Sequence, residues 1–523
     1  MVFIFALYIG LAVWKSAVTY IWSNEAWFAS PALTLIHKGY LGTTILESKG
    51  TWMDGIEHRT YWVPPVYPLF EAGWYEIFGF SLFSLRSISV VAGAATLFAW
   101  YHVISNLAGS RSAGLLALAV IATEPRFIIV ATLGRPDMLC AGLGSLSFAV
   151  YLHYRSRSLP HAILAAHALA AASCLTHPCG VMYASGLILF LLYFDRQRAR
   201  LRDCGLVALP YLAGLAGWGI YILQAPSQFV HQFFGNISGI ASEFAGANRW
   251  SGLTSPLVAF KREYFLRYGS MFGWYDTDLA GRFQLLILFI YTLAIVGCVL
   301  TRSIRNHPGY RVLLLLGLFD FVVLGLFDGL KATAYLVHTL PLCAAFLAIF
   351  IVEWTRRRST AKRTATIWIV ALAMTVFGVT QLSANVLYNS DQPMREDYQA
   401  ALSFLRRANA RPADMIAAGE FAFAFGFDSG ITDDLRLGYF SGKRPAFIVT
   451  NPVYHGWFEH SARSYPAIHA YMMELLASNY RLVFHNSSYK IYERSGAVAR
   501  RVAEAPRKAV QNPRRYVYLN SMP

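Results

Sequence analysis

The sequence predicts a polytopic α-helical membrane protein carrying a small α/β domain at its C-terminal end. Three observations support this. Hydrophobic residues make up 56% of the chain and charged residues only 14%, against roughly 25% charged in soluble domains. Apolar runs long enough, or nearly so, to cross a ~30 Å hydrocarbon core recur through residues 1–384. From about residue 390 the pattern changes to short alternating helical and strand-like segments.

The runs lie at 1–20, 87–106, 113–131, 138–153, 161–176, 180–194, 205–223, 283–300, 312–327, 333–352 and 366–384, which makes eleven. The first has no small-residue cleavage site and leads directly into SNEAWFA, so it reads as a retained helix. Short Arg-rich loops follow the even-numbered runs: Gly109-Ser110-Arg111, Arg155 and Arg157, DRQRARLRD at 195–203, TRSIRNHPGYR at 301–311 and EWTRRRSTAKR at 353–363. The positive-inside rule assigns that side to the cytoplasm, placing the N-terminus inside and the C-terminus outside. The excess of 16 positive charges is therefore a topology signal. A nucleic-acid partner is disfavoured, because the basic clusters are not interleaved with a soluble binding fold.

This topology puts two long loops, 21–86 and 224–282, on the outer side. The first contains TYWVPPVYPLFEAGWYEIFGF, whose aromatic and proline content suits short helices at the membrane interface, with Trp27 and Phe28 anchoring the first turn. The second carries His231, Arg249, Trp250, Arg262, Arg267, Trp274 and Tyr275. Beyond the last run, DYQAALSFLRRANARP reads as an amphipathic helix, Met415–Ala418 and RPAFIVTN as strands, 465–478 as a helix, and YRLVFHNSSYKIYER as two strands. The expected organisation is a transmembrane module over 1–389, an outward α/β domain over 390–495 and a basic flexible tail over 496–523.

The six cysteines all lie in or beside apolar runs, so no disulfide framework is implied. Cys174-x-x-His177-x-Cys179 lacks a fourth ligand and reads as a packed helix end rather than a metal site. Ionisable residues instead collect at the outer ends of the runs. They are Glu25, with Asp54, Glu57, His58, Arg59 and Tyr61 in the same loop; Glu124, Arg126, Arg135 and Asp137 in TEPRFIIVATLGRPDM; His177; and Lys331, Tyr335 and His338 in LKATAYLVH. Charges at membrane depth are costly and tend to mark function. For single members the bland readings are an Asp137–Arg135 pair and a core His338. The gathering of all of them on one face suits a phosphate and a general base.

The order of these features resembles the C-type glycosyltransferases. The residues that carry the resemblance are an acid after the first run, ALTLIHKGYLGT, YWVPPVYPLF, GRPDM opening the fourth run and KATAYLVHTLPL in a late one. The nearest group is the family-39-like branch of protein O-mannosyltransferases and lipid A aminoarabinose transferases. The resemblance implies a sugar carried on a polyprenyl phosphate, transfer with inversion, and a catalytic carboxylate in the first outer loop. Two positions depart from the pattern. The usual Asp-Glu pair is Asn24-Glu25, and the acid found before the Pro-Pro pair is Val63. The base is accordingly Glu25, with Asp137 or Glu57 as alternatives.

On this reading Arg135, Lys331, Tyr335, Arg262 and Arg267 meet the donor phosphate, whose departure needs positive charge. Glu57, His58, Arg59, Tyr61, His177 and His338 contact substrate. No cofactor is required; a divalent cation is compatible with the chemistry, although no Asp-x-Asp or His cluster demands one. The acceptor is a lipid, a glycan or a protein. Two rival readings are a lipid-linked sugar flippase, favoured only by Asp320 inside the ninth run, and a glycan polymerase or ligase of the same membrane class. Localisation in the plasma (inner) membrane follows from the topology.

Overall fold

The computed structural model describes residues 1–236, 251–274, 282, 284–357, 360–388 and 392–496. The helices used below are α1 Val2–Val18, α2 Ser23–Lys38, α3 Val66–Phe78, α4 Leu82–Ala108, α5 Arg111–Thr123, α6 Pro125–Val130, α7 Pro136–Tyr154, α8 Leu159–Cys174, α9 Gly180–Phe190 and α10 Leu201–Ile222. They continue with α11 Pro256–Arg262, α12 Leu285–Leu300, α13 Pro308–Phe327, α14 Leu336–Arg356, α15 Thr360–Ser383, α16 Gln392–Arg407, α17 Pro452–Ser464 and α18 Pro466–Asn479. Every apolar run falls on a helix. Among the described residues five helices, α4, α10, α13, Thr333–Arg356 and Arg363–Val386, are long and apolar enough to span a bilayer alone, and four more apolar helices are shorter. The protein is therefore a multi-pass membrane bundle.

One run is broken. The stretch read as a single helix over 113–131 stops at Thr123, and α6 starts at Pro125. Proline lacks an N–H and disfavours helical geometry in the residue before it, so Glu124 turns extended, at φ −64° and ψ 118°. Its carboxylate is buried and accepts from Tyr291 Oη and Gln381 Nε2, both at 2.7 Å. At the centre of the bundle α4 lies against α7, where a Cβ on Gly142 would come within 2.9 Å of the Ala92 carbonyl oxygen. Small residues at such crossings let two backbones approach closely.

Between α1 and α2 the chain bends by 97°. The expectation that this loop lies in the interface needs correction for α2, which is buried from Asn24 through Thr34. Phe28 stacks on Trp62 with centroids 4.9 Å apart. Trp27, expected as an interface anchor, points into a joint with the C-terminal part of the chain. Helix α3 does expose Leu69, Phe70, Ile77 and Phe78, as an interfacial helix would.

The C-terminal part holds a four-stranded sheet ordered β1-β2-β4-β3, with β1 Met415–Ala417, β2 Phe447–Thr450, β3 Tyr480–His485 and β4 Lys490–Arg494. β1 and β2 are parallel; the other two pairings are antiparallel. Tyr454 and Trp457 of α17 and Met472 and Leu475 of α18 form a core with Ile416 and Ile448 of the strands. The sequence reading missed α17, although Asn451 caps it through the Val453 and Tyr454 N–H groups and Pro452 opens it. The expected tail, apart from Gly496, and Arg249, Trp250 and Tyr275 lie outside the described residues.

This sheet region grips the start of α2. Asp433 Oδ2 accepts from Trp27 Nε1 and the Gly419 N–H, both at 2.8 Å, and Oδ1 accepts from Tyr454 Oη at 2.8 Å. Its backbone bridges to Ile45 and Glu47. Glu420 accepts from Ser23 Oγ, Asn451 Nδ2 and Tyr489 Oη. Burial pushes both acids up, and Asp433 rises to about 7.

Candidate functional site

Glu25 is fully buried in the first turn of α2, and all its lone pairs have donors. Oε2 accepts from the Trp22 N–H at 3.0 Å and Arg86 Nη2 at 2.7 Å. Oε1 accepts from Arg86 Nε and the Gly134 N–H, both at 2.8 Å. Arg86 spends its remaining N–H groups on the Ser16, Thr19 and Tyr20 carbonyls at the bend. The sequence reading cast Glu25 as the base, yet here it is saturated and closes a structural ion pair. What it does for the site is hold Gly134, the residue before Arg135.

Arg135 and Asp137 stand at the start of α7. Pro136 occupies the first helical position and Asp137 the first turn, where a helix N-terminus favours an acid. Arg135 Nε donates to Asp137 Oδ2 at 2.9 Å, and the guanidinium lies over the Phe28 ring at 5.5 Å. Among the described residues Asp137 Oδ1 is buried with no hydrogen-bond partner. His177 and His338 both lie within electrostatic range of this carboxylate. His177 Nδ1 accepts from the Cys179 N–H, and its ring faces Tyr335 at 5.0 Å. Tyr183 Oη bonds His338 Nδ1 at 3.0 Å, which leaves His338 Nε2 buried and unpartnered. Two vacant polar atoms, one on an acid and one on an imidazole, therefore belong to one cluster.

Arg267 adds the third element, its guanidinium 5.7 Å from the Tyr335 ring. It donates to Glu263 Oε1 and Asp328 Oδ2, both at 2.6 Å, and to the Ala332 carbonyl. Lys331, at φ 59°, sends Nζ to the Gly325 and Leu324 carbonyls at the end of α13 and to Glu263 Oε2 at 3.2 Å. Arg262 donates to the Gly329 carbonyl at 3.2 Å. The sequence reading omitted Glu263 and Asp328, so Lys331 and Arg267 are neutralised cations rather than an open anion hole. A signal was present: Glu263 precedes Arg267 by four residues on a helical turn. Across the cluster four cations meet three carboxylates, leaving one positive charge in excess.

The other sequence candidates go elsewhere. Glu57 Oε2 accepts from Ser48 Oγ, and its Oε1 lies 3.7 Å from His58 Nε2. Tyr61 donates its hydroxyl to the Tyr221 carbonyl and its N–H to Gln232. His58 and Arg59 line a separate cavity at the end of α10. Glu71 on α3 was overlooked altogether. It is buried between Tyr67 and Tyr75, Tyr75 Oη reaches it at 3.3 Å, and burial pushes its carboxyl well above the usual range.

Residues 63–221 match the model of a family described as dolichyl-phosphate-mannose-protein mannosyltransferase. Among solved structures, ArnT from Cupriavidus metallidurans bound to undecaprenyl phosphate superposes over 96% of this chain and 99% of its own, with a TM-score of 0.53 at 14% identity. The archaeal oligosaccharyltransferase AglB from Archaeoglobus fulgidus, in complex with an inhibitory peptide and a dolichol-phosphate, superposes over 95% and 74%, with a TM-score of 0.56 at 11% identity. This is the C-type glycosyltransferase fold. No curated protein matches the sequence. The segment matched by the family model includes Arg135, Asp137 and His177. Arg267, Lys331, Tyr335 and His338 join them in the cluster from later in the chain.

Proposed function

We propose that the protein is an integral membrane glycosyltransferase that moves a hexosyl or pentosyl group from a polyprenyl-phosphate donor to a hydroxyl of a lipid, glycan or protein, with inversion at the anomeric carbon. The observation that carries this is Asp137, whose Oδ2 is held by Arg135 while Oδ1 is free to accept a proton. The acceptor hydroxyl gives its proton to Oδ1 as its oxygen attacks. The bond between the anomeric carbon and the phosphate oxygen breaks, and the electrons leave with the phosphate. Arg135 and the Arg267–Lys331 network take up that charge, with Arg262 at its edge; a preorganised cation is worth most where water is excluded. His338 Nε2 is available for a sugar hydroxyl. No step draws on a cofactor.

The fold neighbours that hold undecaprenyl phosphate and dolichol-phosphate support a lipid-linked donor. The Arg-rich loops support a site and a C-terminal region outside the cytoplasm, in the plasma membrane. Mass spectrometry of envelope lipids and glycans with and without the gene tests the proposal. One polyprenyl-phosphate sugar should accumulate, and one glycosylated product should vanish. Unchanged donor pools overturn it. The flippase reading keeps one observation, the buried and unpartnered Oδ1 of Asp320 inside α13; it predicts that Asp320→Asn abolishes sugar-lipid movement while Asp137→Asn does not.

A further inference from the structure

A cavity of about 560 Å³ lies away from the Asp137 cluster, where the end of α2, the first long loop, α3 and the end of α10 meet. This is within the usual size range of small-molecule sites. Leu35, Leu41 and Leu69 give it apolar walls, while Tyr40, Tyr221, Gln224, His58 and Arg59 supply polar atoms. Three features point to its occupant. Arg59 has no carboxylate within ion-pair distance among the described residues, and its one side-chain hydrogen bond is to Gln224 Oε1 at 3.4 Å. It differs in this from Arg86, Arg135 and Arg267, each of which is paired with an acid. Next to it, His58 is largely exposed. Finally, apolar side chains at its rim face outward: Leu69 is 49% exposed, and Ile220, one helical turn before Gln224, is 68% exposed.

We propose that this cavity binds an anionic phospholipid of the surrounding bilayer, its phosphate on Arg59 and its acyl chains along α10 and Leu69. Arg59 offers an anion a partner, and the exposed Leu69 and Ile220 offer acyl chains a surface, so a single amphipathic molecule satisfies both. A free cation near the membrane surface attracts anionic headgroups at roughly 1 kcal/mol per charge. The bound lipid would tie the first long loop to the end of α10. This rests on the membrane reading of the chain and not on its chemistry.

The test uses full-length protein stripped of lipid in detergent and then offered phosphatidylglycerol or phosphatidylcholine, with bound lipid counted by native mass spectrometry. Wild type should prefer phosphatidylglycerol about fivefold. Arg59→Gln should abolish that preference, and Arg59→Lys, which keeps the charge, should retain most of it, showing that the site rather than the fold was altered. Arg135→Gln should keep the preference; its loss there would place the lipid in the transfer site and overturn the proposal. Equal retention of the two lipids, or an unchanged preference in Arg59→Gln, would also overturn it. Displacement by millimolar orthophosphate would identify a free-anion site instead.

Discussion

Two buried carboxylate–arginine pairs meet at the turn before α7, and they differ in what is left over. Glu25 with Arg86 is complete: four donors on the acid, and every N–H of the guanidinium used. Asp137 with Arg135 is incomplete, with one carboxylate oxygen buried and empty. A saturated buried pair fixes geometry, because removing either partner strands a charge. An unsaturated one keeps a lone pair for something that arrives. The two are wired in series, since Glu25 holds the Gly134 N–H directly before Arg135.

The largest effect expected is at the complete pair. Glu25→Ala strands Arg86 and should cost about 3–5 kcal/mol of stability. Tm and transfer should then fall together. Glu25→Gln, which keeps part of the hydrogen bonding, should lie between. A Glu25→Gln protein with wild-type Tm and no turnover would reverse the comparison and return the role of base to Glu25.

Next comes the incomplete pair. Asp137→Asn should lower turnover ~10²–10⁴-fold, the range for losing a general base, far beyond what its loss of Tm explains, with donor still bound. Normal turnover in this variant would leave Glu71 as the carboxylate to examine. A smaller effect is expected for Lys331→Ala, because Arg267 remains beside Glu263 and Asp328. Transfer, read as kcat/KM, should weaken about tenfold, or ~1.4 kcal/mol.

The last effect is read in stability rather than turnover, at the Asp433 joint. Its carboxyl ionises near 3.8 when exposed and near 7 when buried. The folded state therefore holds an extra proton between these values, and stability declines as pH rises from about 4 to 7, then levels off. Thermal melts from pH 5 to pH 8 should show Tm falling. Asp433→Asn should flatten the curve, because an amide keeps an acceptor for Trp27 and Gly419 while Tyr454 Oη accepts from its NH₂.

Much of this was legible in the sequence. Hydropathy located the helices, and GRPDM revealed the start of α7, since proline followed by an acid is a local helix-opening signal. The collecting of Arg135, Asp137, His177, Tyr335 and His338 at one end followed from their places at run termini. What stayed hidden was pairing at a distance. Nothing local tells Glu25 that Arg86 will meet it, or Trp27 that Asp433 will. The neutralising acids went unseen for a different reason: Glu263 is signalled only by its place four residues before Arg267, and only the fold shows that Asp328 faces the same cations. The break at Pro125 could have been read directly from TEPRF.

The grip of Asp433 on Trp27 joins residues 406 positions apart in the chain. Synthesis runs from the N-terminus, so α1 to α7 enter the membrane long before Asp433 exists. Until it does, the start of α2 lacks its clamp, and the chain from Glu25 through Gly134 to Asp137 hangs on one side only. A nascent chain would thus carry every residue of the reaction in place along the bundle without their final alignment, and the last hundred described residues would act as the signal that assembly is finished.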